Sequence, residues 1–296
     1  MLGRRRRASF TGIVIAATVA PCGFASTTAG VSPAVAFPPH AGDVRIELQR
    51  DYLVAVRGTV GDRGGLTFVI DTGTLPTLVD TRIARQFGRA GPKVPVDSFT
   101  RTDELESVVI PDLAVGPFSV ADVPALVADL SRLEPHFGIK TDIVVGAGLL
   151  RGVCFSIDYV GRRLSFACRE GWRATLPLDG RSPHVVAEVT IDGTPLRLVV
   201  DTGSQAVVVD DDATPVAWQS RVEARIDASD FSGPVRLRRF TADVIAVGPM
   251  TWQRRPVHIL SAGVKRQSYD GVLGVRALGM SAVQFDLKRM VLSWNE

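Results

Sequence analysis

Short runs rich in Val, Ile, Leu and Thr recur along the chain, separated by glycine-containing turns. YLVAVRGTV from Tyr52, TFVIDTG from Thr67, HVVAEVTIDG from His184 and PLRLVVDTG from Pro195 each read as a β-strand. Branched apolar side chains pack well on a pleated, half-covered surface. Asp192-Gly193, lying between two such runs, predicts a tight hairpin. Helical periodicity is sparse. Arg82 to Phe87, Leu149 to Val153 and Arg276 to Met280 have room for a turn or two each. Evenly spaced strands without long intervening helices predict an all-β fold of sandwiches or barrels, not a parallel sheet with crossover helices.

The pattern also repeats. DTGTLPTLVD (Asp71 to Asp80) aligns without a gap on DTGSQAVVVD (Asp201 to Asp210), each after an apolar run. AVGPFSVADVP from Ala114 aligns on AVGPMTWQRRP from Ala246, and the segment Asp142 to Phe166 aligns on Asp270 to Trp294. The three blocks keep their order at offsets of 128 to 132 residues, which biased composition alone would not preserve. The expectation is a duplicated domain with copies at 41–170 and 172–296 and a short join.

The N-terminal segment stands apart. Arg4 to Arg7 form a positive head, Phe10 to Ala20 an apolar stretch short for a membrane span, and Ala34-Val35-Ala36 a small-residue cleavage site. Residues 1–36 therefore read as an export signal, with an uncleaved anchor as the alternative. Val19-Ala20-Pro21-Cys22 departs from a lipidation motif, because proline precedes the cysteine. The expected location is outside the cytoplasm, secreted or in the cell envelope or periplasm, with no membrane span once the signal is removed.

This reading changes the charge balance. The whole chain has 34 basic and 31 acidic residues, but four arginines and no acid lie in the leader, leaving 30 against 31. No basic stripe interleaved with aromatics is left, so nucleic acid is not an expected partner. A hydrophobic content of 46% supports a large core or two smaller ones.

Cys154 and Cys168 bracket a predicted hairpin turning at Val160-Gly161-Arg162. A register centred on Gly161 would set them face to face, close enough for a disulfide in an oxidising compartment. Two free buried thiols are the alternative. The four histidines have no ligand spacing, so neither metal nor cofactor is expected.

One Asp-Thr-Gly triplet is most often a turn after a strand. Two, at matching places in two copies, point to paired carboxylates. Carboxylates within about 3 Å of each other cannot both ionise easily and share one proton. The ionised member can take a proton from a water, and the protonated one can hydrogen-bond a substrate carbonyl. Asp71 and Asp201 are therefore the candidate catalytic pair. Thr72 and Thr202 can hydrogen-bond across the join, and Gly73 and Gly203 let an N–H reach a carboxylate. Thr74 and Ser204 can add a hydroxyl to the outer oxygen.

These triplets, followed later by Val144-Val145-Gly146 and Val272-Leu273-Gly274, make the chain resemble the retropepsin and pepsin group of aspartic proteases. The resemblance extends from about residue 50 to 294. It implies a bilobal acid-protease fold with two tandem retropepsin-like β-barrel lobes and a cleft between them. It also implies that Gly146 and Gly274 lie on strands supporting the Asp loops. The implied activity is aspartic endopeptidase, a hydrolase acting on polypeptides with neither metal nor covalent intermediate. One chain supplies both halves, so a monomer is expected. The family's flap tyrosine has no counterpart here. Phe99 and Phe231 are the aromatic candidates for hairpin tips, with ordinary loop or core positions as the alternative. A peptide-binding protein that has lost catalysis is the second reading, although both triplets are intact. An envelope scaffold is the third, and it leaves the triplets unexplained.

Overall fold

The computed structural model describes residues 18–19, 35–36, 42–87, 91–98, 101–230, 233–261 and 268–296. Most of the leader, Cys22, Phe99 and Phe231 lie outside the described residues. The fold is mostly β, as the apolar runs predict.

Each half closes a sheet on itself. In the first, the order is Thr102–Val115, Phe118–Ala128, Thr77–Asp80, Ile143–Gly146, Arg63–Asp71 and Leu53–Val60, which pairs back onto Thr102–Val115. In the second it is Gly233–Val247, Met250–Leu260, Val207–Asp210, Gly271–Gly274, Thr194–Asp201 and Val186–Ile191, which pairs back onto Gly233–Val247. Repeated sequence blocks occupy the same ring positions in both lobes. In each ring the Asp-bearing strand runs parallel to the short strand ending in glycine, with Asp71 opposite Gly146 and Asp201 opposite Gly274.

The unbroken apolar runs before each Asp have a packing cause. Leu198 and Val200 face the main core, whereas Val199 faces a second cluster with Val186, Val208 and Val272. Phe68 and Ile70 face the main core, and Val69 faces a cluster with Leu78 and Val144. A strand covered on both faces is apolar at every position.

A third sheet joins the halves. Its order is Ala174–Pro177, Val291–Asn295, Ala282–Asp286, Cys154–Asp158, Arg163–Ser165 and Asp43–Arg45. The two central strands pair antiparallel about Ser156 and Gln284, one from each copy. Next to that centre the rings of Phe155 and Phe285 stack with centroids 5.0 Å apart, fully buried. Burying a side chain of this size stabilises by about 1.5–3 kcal/mol. One continuous core runs through both rings and this sheet. Arg276 adds a polar tie, its Nε donating to the Asp51 carbonyl at 3.0 Å with its guanidinium over the Tyr159 ring.

Two local expectations change. The hairpin after Cys154 pairs Ser156 with Ser165 and Asp158 with Arg163, so its centre lies between Val160 and Gly161. Asp158 sets this turn by accepting the Gly161 N–H at 2.7 Å. Cys168 lies past the end of the strand, yet it is bonded to Cys154 with the Cα atoms 5.4 Å apart. Helix does form at Thr81–Ala84 and Val275–Leu278. Leu130–Leu133, Glu134–Phe137 and Val216–Gln219 are further single turns. Among the described residues no helix is long and apolar enough to cross a membrane.

Candidate active site

Both Asp-Thr-Gly loops emerge from their rings at one place and interlock there. Thr72 Oγ1 donates to the Val200 carbonyl at 2.7 Å and accepts the Thr202 N–H at 3.1 Å. Thr202 Oγ1 returns the contact, donating to the Ile70 carbonyl at 2.8 Å and accepting the Thr72 N–H at 3.1 Å. Both threonines are fully buried. Each lobe thus satisfies backbone groups of the other, where water cannot substitute.

The glycines set the approach. A Cβ on Gly73 would lie 2.3 Å from Cγ of Asp201, and one on Gly203 would lie 2.7 Å from Cγ of Asp71. Each loop's glycine therefore packs against the opposite lobe's carboxyl, leaving no room for a side chain. The support glycines work beneath. A Cβ on Gly146 would meet the Pro76 carbonyl oxygen at 2.2 Å, and one on Gly274 the Ser204 carbonyl oxygen at 2.5 Å. Asp71 and Asp201 come within hydrogen-bonding distance of each other, both fully buried.

Their hydrogen bonds differ. Asp71 Oδ1 accepts from the N–H groups of Gly73 at 2.9 Å and Thr74 at 3.1 Å, and Oδ2 accepts from Thr74 Oγ1 at 3.0 Å. Asp201 Oδ1 accepts the Gly203 N–H at 2.6 Å and the Gly73 N–H of the opposite loop also bears on this carboxyl, but no side-chain hydroxyl among the described residues reaches its Oδ2. The hydroxyl expected from Ser204 is turned away, donating to the Ala206 carbonyl at 3.3 Å and accepting the Ala206 N–H at 3.2 Å. Serine has no γ-methyl to hold its rotamer and bonds local backbone readily.

Burial pushes the Asp71 carboxyl up to about 6, against the pull of hydrogen bonds from Asp201, Thr74 and Gly73. Burial and then the Asp71 charge push Asp201 well above the ordinary carboxylate range, with the Gly203 and Gly73 N–H groups opposing. Such a pair holds one proton and one negative charge over a wide pH interval. That state can activate a water on one side and polarise a carbonyl on the other.

Other recurrent acids brace the site. Asp142 Oδ2 accepts the Thr67 N–H at 2.9 Å, and Asp270 Oδ2 accepts the Arg197 N–H at 2.7 Å. Their own carbonyls accept the Asp80 and Asp210 N–H groups. Each thereby laces an Asp strand to its support strand, four residues before the loop. The signal was their recurrence immediately before both support strands. Asp80 caps the helix at Thr81 and also accepts the Leu130 N–H at 2.9 Å. Hairpins stand where the flap candidates belong: Lys93–Asp97 pairs with Thr102 to Glu106, and Ala224–Asp230 with Gly233 to Arg239.

Two family models match the chain. Residues 56–149 match one described as aspartyl protease, and residues 187–280 match one described as gag-polyprotein putative aspartyl protease. Each match contains one Asp-Thr-Gly triplet and its support glycine. A solved structure, the aspartic proteinase from Irpex lacteus, is similar with a TM-score of 0.52 and 15% identity. The similarity covers 86% of this chain and 97% of that one. At that identity it is a likeness of fold. No curated protein matches the sequence.

Proposed function

The chain belongs to the retropepsin- and pepsin-like aspartic protease family, and on that premise we propose that it is an aspartic endopeptidase acting outside the cytoplasm. The single observation that carries the proposal is the buried Asp71–Asp201 contact, made by two interlocked loops of one chain. Asp71 and Asp201 are the catalytic residues of this reading, Thr72, Gly73, Thr202 and Gly203 shape the pair, and Gly146 and Gly274 support it.

In the reaction the carboxylate of the pair takes a proton from water as the water oxygen bonds to the peptide carbonyl carbon. The protonated member gives its proton to the carbonyl oxygen, forming a neutral gem-diol. The newly protonated carboxyl then protonates the amide nitrogen as the C–N bond breaks. The gem-diol hydroxyl returns a proton to the other member. One peptide bond and one water become an acid and an amine, and the dyad regains its single proton. These steps occur out of bulk solvent, where positioned charges act more strongly.

Residues 1–36 are the export signal in this reading, and residues 41–170 and 172–296 are the two lobes. The disulfide between Cys154 and Cys168 is compatible with an oxidising, extracytoplasmic location. Incubating the protein with a mixed peptide library from pH 3 to 7, with products read by mass spectrometry, tests the proposal. Internal cleavage supports it. Peptide binding without cleavage at any pH would favour a binding protein on the same fold.

A further inference from the structure

The sheet that joins the lobes carries a group of side chains that the dyad does not use. Cys154 and Asp286 are direct cross-strand partners at the seam between the two copies. Cys168, on the connector that leads into the second lobe, is bonded to Cys154. The two sulfurs and a carboxylate oxygen of Asp286 lie within 4.8 Å of one another, the only such group of three among the described residues. Histidine spacing, which argues against a metal in this chain, does not bear on a group of this kind.

The duplication shows what sets Asp286 apart. Its counterpart Asp158 fixes a hairpin turn, one oxygen accepting the Gly161 N–H at 2.7 Å and the other the Arg163 guanidinium at 3.4 Å. Asp286 repeats the turn, its Oδ1 accepting the Arg289 N–H at 2.9 Å. Its second oxygen has other surroundings, because the positions of Arg163 and Cys154 are held by Val291 and Ala282 in the second copy. Asp158 therefore pairs with an alanine and Asp286 with a cysteine. Asp286 Oδ2 points at Cys168 Sγ, 3.6 Å away, with Nε of the largely exposed Arg289 at 3.9 Å. Asp286 is only 7% exposed. A sulfur bonded to another sulfur has no proton to donate, so this buried oxygen gains no hydrogen bond from it.

We propose that this group is a redox-gated metal site: once the disulfide is reduced, Cys154, Cys168 and Asp286 bind a thiolate-seeking divalent cation such as zinc. Tetrahedral zinc takes thiolate sulfur at about 2.3 Å and carboxylate oxygen at about 2.1 Å, which sets those two atoms about 3.6 Å apart. Cys168 Sγ and Asp286 Oδ2 already stand at that spacing. Opening the bond lets the sulfurs part to the roughly 3.8 Å that the same geometry requires. The reduction balances with a trialkylphosphine, which takes oxygen from water to become its oxide while the sulfurs receive two electrons and two protons. The cation then displaces both protons. Two thiolates and a carboxylate this close repel one another unless a cation joins them. Cys168 is exposed, so reductant and ion have access and a fourth position is open to water. The disulfide ties the first copy to the connector alone, whereas the metal also holds Asp286 of the second copy.

The test is a cobalt(II) titration of the full chain carrying Cys22→Ser, which leaves Cys154 and Cys168 as its only cysteines. Thiolate-bound cobalt has a charge-transfer absorption, and zinc should abolish it by displacement. The band is expected after phosphine treatment and not in the untreated protein. Asp286→Asn keeps an acceptor for the Arg289 N–H and should weaken binding by about a hundredfold or more, the upper end of the roughly 10–100-fold loss caused by removing an outer-shell partner. Asp158→Asn removes the matching turn carboxylate of the other copy and should bind as the parent does. No band in the reduced protein, equal affinity in the two Asn variants, or loss of the β circular dichroism signal on reduction would overturn the proposal. Equal affinity is the result for two thiolates that hold cobalt without Asp286.

Discussion

Thr202→Val isolates the interlobe lock. Valine keeps the branched shape and nearly the volume of threonine, so the fully buried site is neither emptied nor overfilled. What disappears is one hydroxyl. It accepts the Thr72 N–H at 3.1 Å and donates to the Ile70 carbonyl at 2.8 Å, both on the opposite lobe. Leaving a buried backbone donor or acceptor unpaired costs about 1–3 kcal/mol, so the two together cost about 2–6 kcal/mol. That is a large part of the roughly 5–15 kcal/mol available to an ordinary folded protein. Thr72→Val should cost a similar amount, because its hydroxyl makes the mirror-image pair of contacts with Val200 and Thr202. The assay is urea unfolding at pH 7, with the exposed Thr251→Val as control. The midpoint should fall without a change in slope, since the surface exposed on unfolding is the same. A loss below about 0.5 kcal/mol, the range of ordinary surface substitutions, would refute the claim that the threonines lock the lobes.

Three further predictions address other parts of the account. Gly73→Ala places a Cβ 2.3 Å from Cγ of Asp201, so kcat/KM should fall on the order of a hundredfold or more through misplacement of one carboxyl; near-parental activity with an unchanged circular dichroism spectrum would contradict it. Replacing Cys154 and Cys168 together by serine frees a loop of sequence separation 14, and thermal unfolding should show a loss of about 3 kcal/mol; an unchanged midpoint would show that the bond adds nothing. Stability should also depend on pH in two opposing ways. Asp71, raised to about 6, binds more proton folded than unfolded, so its contribution is lost as pH rises from about 4 to 6, worth up to about 3 kcal/mol. His258, which burial lowers to about 4, binds less proton folded, so its contribution rises with pH from about 4 to 6.5 by a similar amount. His258→Gln should therefore steepen the fall in stability with rising pH, and a shallower fall would reverse the sign assigned to His258.

Much of the fold is legible because duplication lets each half check the other. The apolar runs before Asp71 and Asp201 predict strands covered on two faces, and the clusters around Val69 and Val199 are the reason. Gly146 and Gly274 are legible as support positions, since only glycine tolerates the backbone pressed against them. The misses are local. A single helical turn such as Glu134–Phe137 has too few positions to display a period. The hairpin register near Gly161 was set by the side chain of Asp158 accepting an N–H, which an apolar pattern does not encode. Ser204 shows the same limit at the site itself. The sequence says that a hydroxyl is present, but whether it turns to Asp201 or to the Ala206 backbone depends on three-dimensional competition.

The central claim is that Asp71 and Asp201 act as one hydrolytic unit. The most direct measurement is kcat/KM on the library peptide cleaved fastest, for the parent, Asp71→Asn, Asp201→Asn and the double variant. Groups that work as a unit are strongly non-additive. Each single substitution should cost on the order of a thousandfold or more, and the double variant should be little worse than either single one. A single variant retaining activity within about tenfold of the parent, a barrier change of only about 1.4 kcal/mol, would contradict the account.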